Sequence, residues 1–300
     1  MSIYDKDLFG KSKYETALAT LRFHCASPKS GIGGYKRVLC AFSGGKDSQC
    51  CYHLLKDAGI PFSAQYSITR FEPPELMEFI RDNYPDVTFR RAYKRSLVDD
   101  ICINGLPTRF SRWCCEAKHK KTEGFDIQVI GVRAAESARR ANNWRTFGVK
   151  ADRTAYLCPI FAWTDDDVWE YLNSKGVAHC RLYDEGYDRI GCVLCPLRHK
   201  GKEQDLERYP KTANMIKLGV RKFVERMRAQ GFVSKKGKPC ASWCKAEDPV
   251  EELFWRWVKT EQVQESVEEY ERGKHGSEEE VCLFAGSGAS ESDGIGAEDP

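Results

Sequence analysis

The chain has 300 residues, 41% of them hydrophobic and 12% aromatic, enough for one large domain or two modest ones, which excludes a fibrous or disordered protein. Its formal charge of +3 conceals an asymmetry: residues 198–238 carry 13 Lys/Arg against 4 Asp/Glu, whereas residues 247–300 carry 4 against 16. No apolar run approaches the roughly 18 residues of a membrane span. Asp5, Lys6, Lys11 and Glu15 interrupt the first thirty residues where a signal peptide would keep an apolar stretch, so a cytoplasmic protein with no membrane partner is expected.

Residues 1–35 are expected as a helical lead-in. "VLCAF", residues 38–42, is a short apolar run that predicts a buried strand, and Lys46–Ala58 predicts a helix ended by Gly59 and Pro61. Alternation continues with a strand over 62–68, a helix over 74–83 started by Pro73 and Pro74, a strand over 87–93, helical stretches from Ser96 and from Arg112, and a strand over 127–132. Thr164 with Asp167 three residues on has the form of a capping box, opening a helix that Gly176 stops. Strands alternating with helices predict an α/β fold with a doubly wound, mostly parallel sheet whose ligand lies at the carboxyl ends of the strands. The expected organisation is a domain over 36–197, a basic helical extension over 198–260, and an acidic, disordered tail over 273–300.

Between the first strand and its helix stands Ser43-Gly44-Gly45-Lys46-Asp47-Ser48. Glycines let backbone approach a ligand closely, and the helix N-terminus offers unpaired N–H groups and a partial positive charge, so a phosphate is the natural occupant. The sequence lacks the upstream glycine and the Lys-Ser/Thr step of a Walker A loop. Arg133, at a strand end, is a charge that needs a partner. Asp165, Asp166 and Asp167, in the first turn of a helix, complement its dipole and are not read as a metal site.

"FSGGKDS" resembles the PP-loop of the ATP-pyrophosphatase superfamily, which includes the phosphoadenosine phosphosulfate (PAPS) reductase family. "VIGVRAAESARR", residues 129–140, is similar to the GVRxxES segment of PAPS reductase-like proteins, and "CPIFAWTDDDVWEYL" to the segment that follows it. The resemblance covers about residues 36–197. It implies that Ser43, Gly44, Gly45, Lys46, Asp47 and Ser48 hold the phosphates of ATP, cleaved between its α and β phosphates. Lys46 would neutralise charge, Asp47 would orient Mg²⁺, and Arg133 and Arg139 would face the oxyanions, in keeping with the bidentate geometry of guanidinium.

Fourteen cysteines in a chain expected to stay reduced turn attention to metal. Cys40, Cys50, Cys51 and Cys102 sit in apolar patterns and read as core. Cys114-Cys115 together with Cys192-x-x-Cys195 can close a tetrathiolate site. Their pattern resembles the 4Fe-4S ligands of adenylyl-sulfate reductases, with zinc as the alternative and Cys158, Cys180, Cys240 and Cys244 as substitutes.

An intact SGGKDS and the absence of an ECGLH-like segment separate this chain from the reductases. The combination resembles the PP-loop component of bacterial DNA phosphorothioation systems and the PP-loop thiolases of tRNA. It implies an adenylyltransferase or sulfurtransferase that uses ATP, a sulfur donor such as a cysteine desulfurase, and a nucleic-acid acceptor held by the basic stretch 198–238. The same stretch has the spacing of an amphipathic helix with a solvated face. Alternative readings are a PAPS or adenylyl-sulfate reductase with Cys282 as nucleophile, and an accessory protein that binds nucleotide or nucleic acid without turnover.

Overall fold

The apolar run at Val38 forms β1 (Val38–Ala41), which pairs on both edges and buries Val38, Leu39 and Cys40. The computed structural model describes residues 2–26, 34–118, 122–150, 153–198, 201–231 and 242–259. Helix α1 (Lys13–Cys25) precedes the strand, and Ser12 caps it in a capping box with Glu15. The chain then runs through α2 (Lys46–Asp57), β2 (Phe62–Ile68), α3 (Pro74–Asn83) and β3 (Thr88–Arg91). After α4 (Leu97–Asn104) and α5 (Trp113–Lys118) come β4 (Ile127–Val129), α6 (Ala138–Asn143), β5 (Phe147–Val149), β6 (Ala155–Leu157) and α7 (Asp165–Ser174). Helices α8 (Lys202–Arg208), α9 (Pro210–Ala229) and α10 (Pro249–Val258) complete the described chain.

The six strands order as β3-β2-β1-β4-β6-β5, parallel except for β5, which runs antiparallel to β6. Strand order therefore reverses at β1, and the carboxyl ends of β1 and β4 flank the crevice where such sheets take their ligands. The fold is the expected doubly wound α/β sheet, with one addition. The β5–β6 pair was not read from the sequence, because three residues per strand are too few to show a period of two. Between the two strands the Lys150 N–H donates to the Thr154 carbonyl at 2.9 Å. Gly148 lets the Tyr156 side chain pack over it, since a Cβ there would run into that ring and its hydroxyl.

The chain divides into two compact units. The first, residues 1–92 and 118–192, holds the sheet with α1, α2, α3, α6 and α7. Asp57 on α2 ties three helices together, accepting from the hydroxyls of Tyr14 and Tyr171 at 3.1 and 2.8 Å and from Lys175. The second unit takes residues 93–117 and the chain from Val193 on. Residues 93–117, which lie within the expected 36–197 domain, thus cluster with the C-terminal helices, where α4 packs along α9. Gly219 allows that approach, because a Cβ there would stand 2.8 Å from Ile101 Cβ. Helix α9 is amphipathic, burying Ala213, Ile216, Val220, Val224 and Met227. Residues 260–300, with the expected acidic tail and Cys282, lie outside the described residues, as does Cys240. Among the described residues no helix is long and apolar enough to cross a membrane.

The capping box at Thr164 is present, and Asp167, 4% exposed, also holds Lys13 at 2.6 Å. Burial opposes ionisation of Asp167, but Lys13 and the Thr164 cap outweigh it and leave the carboxyl below its ordinary value. A depressed folded pKa means that the stabilisation is present above the unfolded value of about 3.9 and fades as pH falls through the folded value. Asp167→Asn is expected to lower the melting temperature at neutral pH, with the difference from wild type shrinking steadily below about pH 4, as scanning calorimetry across pH would record.

Candidate active site

The turn after β1 is shaped from within. Gly44 has φ +72°, a left-handed conformation that a side chain strains to adopt, and a Cβ there would meet Ile80 and Leu76 of α3 at 2.7 Å. The Ser48 hydroxyl, 4% exposed, donates to the Gly45 carbonyl at 2.8 Å and accepts from the Ser43 N–H and hydroxyl at 3.1 and 3.0 Å. Ser48 therefore braces the loop from within. Gly45 is the N-cap of α2 and supplies no side-chain cap. Among the described residues the amides of Gly44 and Gly45 donate to no protein acceptor, so the loop keeps donors for an anion.

The Lys46 N–H donates to the Tyr183 hydroxyl at 3.0 Å, and the Lys46 ammonium lies 5.9 Å from the centre of that ring. Burial pushes the Tyr183 hydroxyl up, so it stays protonated at neutral pH and keeps a proton to donate. Tyr183 was not singled out in the sequence: 137 residues separate it from Lys46, and no local pattern connects the two.

Lys46 and Arg133, 6% and 2% exposed, form a cation pair answered by two carboxylates. The Arg133 Nε donates to Asp47 Oδ1 at 2.6 Å, its Nη2 donates to Asp165, and its Nη1 reaches the Trp163 carbonyl at 3.4 Å. Lys46 Nζ lies 3.3 Å from Asp165 Oδ1 and 3.9 Å from Asp47 Oδ2. Burial raises the Asp47 carboxyl and is only partly offset by Lys46 and Arg133. For Asp165, burial opposes ionisation, but Lys46 and Arg133 prevail and lower its pKa. Its side chain is 65% exposed, the most open of the four. Asp165 is thus more than the dipole partner the sequence suggested. Gly131 seats the β4 exit against α2, since a Cβ there would stand 2.7 Å from the Asp47 backbone carbon.

Arg139 is exposed on α6 and makes no ion pair or hydrogen bond among the described residues; its neighbour Arg140 pairs with Glu136, which also accepts from the Arg133 N–H at 3.0 Å. The structure gathers Lys46, Asp47 and Arg133 with Asp165, and Arg139 stands outside that group. Cys114 is buried and Cys115 and Cys195 are half-buried in the second unit, whereas Cys192 closes the first, its Sγ 3.8 Å from Thr69 Oγ1. Among the described residues no three His, Cys, Asp or Glu side chains gather as a metal site. Cys40, Cys50 and Cys51 are core, their thiols pushed up by burial, while Cys102 is half-buried. Burial also raises the substitutes Cys158, to about 12, and Cys180, which keeps both as neutral thiols.

Removing a buried guanidinium strands its carboxylates. Arg133→Met is expected to cost about 3 kcal/mol in urea unfolding, and Asp47→Asn placed in the same chain should recover a measurable part of that loss.

Residues 37–198 match the phosphoadenosine phosphosulfate reductase domain. The chain is 29% identical over 220 residues to uncharacterized protein MJ0066 of Methanocaldococcus jannaschii, covering 67% of this chain and 45% of that one. It is 26% identical over 134 residues to adenosine 5'-phosphosulfate reductase of Staphylococcus epidermidis, covering 41% and 54%. The chain spans about half the length of the curated relatives it matches. Among solved structures, phosphoadenylyl-sulfate reductase from Candida auris aligns with a TM-score of 0.45 at 14% identity, over 59% of this chain and 88% of that one. With more than half of its residues inside the matched domain, this chain belongs to the phosphoadenosine phosphosulfate reductase domain family.

Proposed function

We propose that the first unit binds ATP on Ser43–Ser48 and releases pyrophosphate as an acceptor oxygen takes the adenylyl group, preparing that acceptor for sulfur transfer. The observation that carries this reading is the loop itself: a left-handed Gly44, amides of Gly44 and Gly45 without protein acceptors, and a buried Lys46 at the same helix N-terminus. The acceptor oxygen forms its bond to the α phosphorus, and the bond from that phosphorus to the oxygen bridging to the β phosphorus breaks. Charge then accumulates on the departing pyrophosphate. The loop amides, Lys46 and the Tyr183 hydroxyl are donors suited to meet it, fixed in place before the reaction begins. Arg133 holds Asp47 and Asp165 in position and so acts through them.

Mg²⁺ bound with the nucleotide would neutralise phosphate oxygens, and Asp47 would hold it through the carboxylate oxygen that Arg133 does not take. A 4Fe-4S or zinc group on Cys114, Cys115, Cys192 and Cys195 rests on residue type and spacing. The thiol set suits such a group, and no step is routed through it. A sulfur donor such as a cysteine desulfurase would complete the transfer.

The second reading is reductive cleavage of adenosine 5'-phosphosulfate or its 3'-phosphorylated form to sulfite, favoured by the relatives that carry the reductase name. One assay separates the two. Anaerobically purified protein, with its iron content measured on the same sample, is expected to release pyrophosphate from ATP, and Lys46→Ala combined with Ser48→Ala is expected to abolish that release. Sulfite from PAPS with no cleavage of ATP would establish the reductase instead. Binding of ATP with neither product would leave a protein that senses nucleotide without turning it over.

A further inference from the structure

The second unit presents one aromatic side chain in a way that packing does not explain. Phe110 is 86% exposed, yet the turn that carries it is pinned on every side. Trp257 Nε1 donates to the Pro107 carbonyl at 2.6 Å. The Thr108 N–H donates to the Ser111 carbonyl at 2.9 Å, and the Thr108 hydroxyl accepts the N–H groups of Phe110 and Ser111 at 3.2 and 3.0 Å. Arg109 Nε donates to the Pro196 carbonyl at 3.2 Å. Thr108 and Ser111 are themselves buried. A phenyl ring left in water at the tip of a rigid turn forgoes the stabilisation that burial would bring.

Single exposed apolar side chains are ordinary, and charge distinguishes this one. Leu8 and Phe9 are as exposed as Phe110, but they follow the Asp7 carboxylate, which accepts the N–H groups of Phe9 and Lys11. Phe110 lies between two arginines. Arg112 is half-buried, and its guanidinium makes no ion pair or hydrogen bond among the described residues. In the same unit Lys211, Arg221 and Arg228 are exposed on α9 and likewise make no ion pair among the described residues. Burying part of a guanidinium without a carboxylate disfavours the free protein and suits one that meets an external anion.

We infer that the Phe110 turn is a contact for single-stranded nucleic acid: an unstacked base lies on the Phe110 ring while Arg112 takes a neighbouring phosphate. An exposed aromatic ring with an arginine two residues along the chain matches the repeating alternation of base and phosphate along a strand. A duplex keeps its bases stacked on one another and offers this ring no face. An acidic peptide would satisfy Arg112 and leave the ring wet. The inference stands on the second unit and does not depend on what the loop at Ser43–Ser48 binds.

The test uses the full chain and fluorescein-labelled oligothymidylate and oligouridylate, read by anisotropy over a salt series, with a duplex and polyglutamate as comparison arms. Wild type should bind the single strands more tightly than the duplex, with the two labelled strands telling DNA from RNA as the source. Phe110→Ala should weaken single-strand binding about ten-fold and leave duplex binding unchanged, as loss of one stacked base predicts. Phe110→Trp should retain the affinity, and Arg112→Gln should reduce the slope of log affinity against log salt by about one contact. Because Phe110 is solvent-exposed, Phe110→Ala should melt as wild type does. No single-strand binding by wild type at low salt, an unchanged affinity in Phe110→Ala, or displacement by polyglutamate that ignores Phe110 would each overturn the assignment.

Discussion

A buried guanidinium cannot stand alone, and the arrangement around the loop after β1 can be traced to how Arg133, a residue 2% exposed, is neutralised. Its two carboxylates come from different helices, Asp47 from the first turn of α2 and Asp165 from the first turn of α7. Acids in those places are already favoured by the helix dipoles, so the same two residues serve the helix ends and the buried arginine together. The result is a cross-link of three chain segments at the point where strand order reverses. The exit of β4 is then seated on α2 closely enough that Gly131 leaves no room for a Cβ against the Asp47 backbone. The loop after β1 consequently owes part of its shape to a glycine just past the end of another strand.

Much of this architecture was legible because its signals are local. The bounds of α3 follow from Pro73 and Pro74 at its start, and α7 from the Thr164–Asp167 box, both of which act within four residues. The strand, glycine turn and helix at Val38–Asp57 are likewise a local pattern. What escaped was set by distance along the chain. Asp165 reads as one of three first-turn acids until Arg133 and Lys46 fold against it, and Tyr183 reads as one of many tyrosines until its hydroxyl meets the Lys46 amide. Choosing between Arg139 and Arg140 requires knowing how α6 is turned, and the run of two arginines does not carry that information.

The second unit shows the opposite balance. Its long helix α9 was visible in the period of its apolar residues, and the structure buries that stripe against α4 and α10. The cysteine pattern was the strongest motif outside the loop, but spacing in sequence fixes only which residue types are available and leaves their assembly to tertiary structure. Cys114 and Cys115 are carried by a six-residue helix, and Cys195 follows Leu194, whose φ of +55° is held by a hydrogen bond from its N–H to the buried Asp205 carboxylate at 2.7 Å. Neither feature has a signature that a spacing argument could use.

The two proposed chemistries ask different things of the first unit. Adenylyl transfer asks for anion donors fixed before the phosphate arrives, and the loop with Lys46 and Tyr183 has the form of such a set. Reduction of a sulfonucleotide asks for a thiolate. Cys25, Cys40, Cys50, Cys51, Cys158 and Cys180 are buried in the same unit with their thiols pushed up by that burial, which removes the charged form a nucleophile needs. A reductive reading must therefore draw its sulfur from Cys192, from the second unit, or from residues outside those described. The adenylyl reading needs only side chains already assembled around one helix end, and for that reason it makes the smaller demand on the protein.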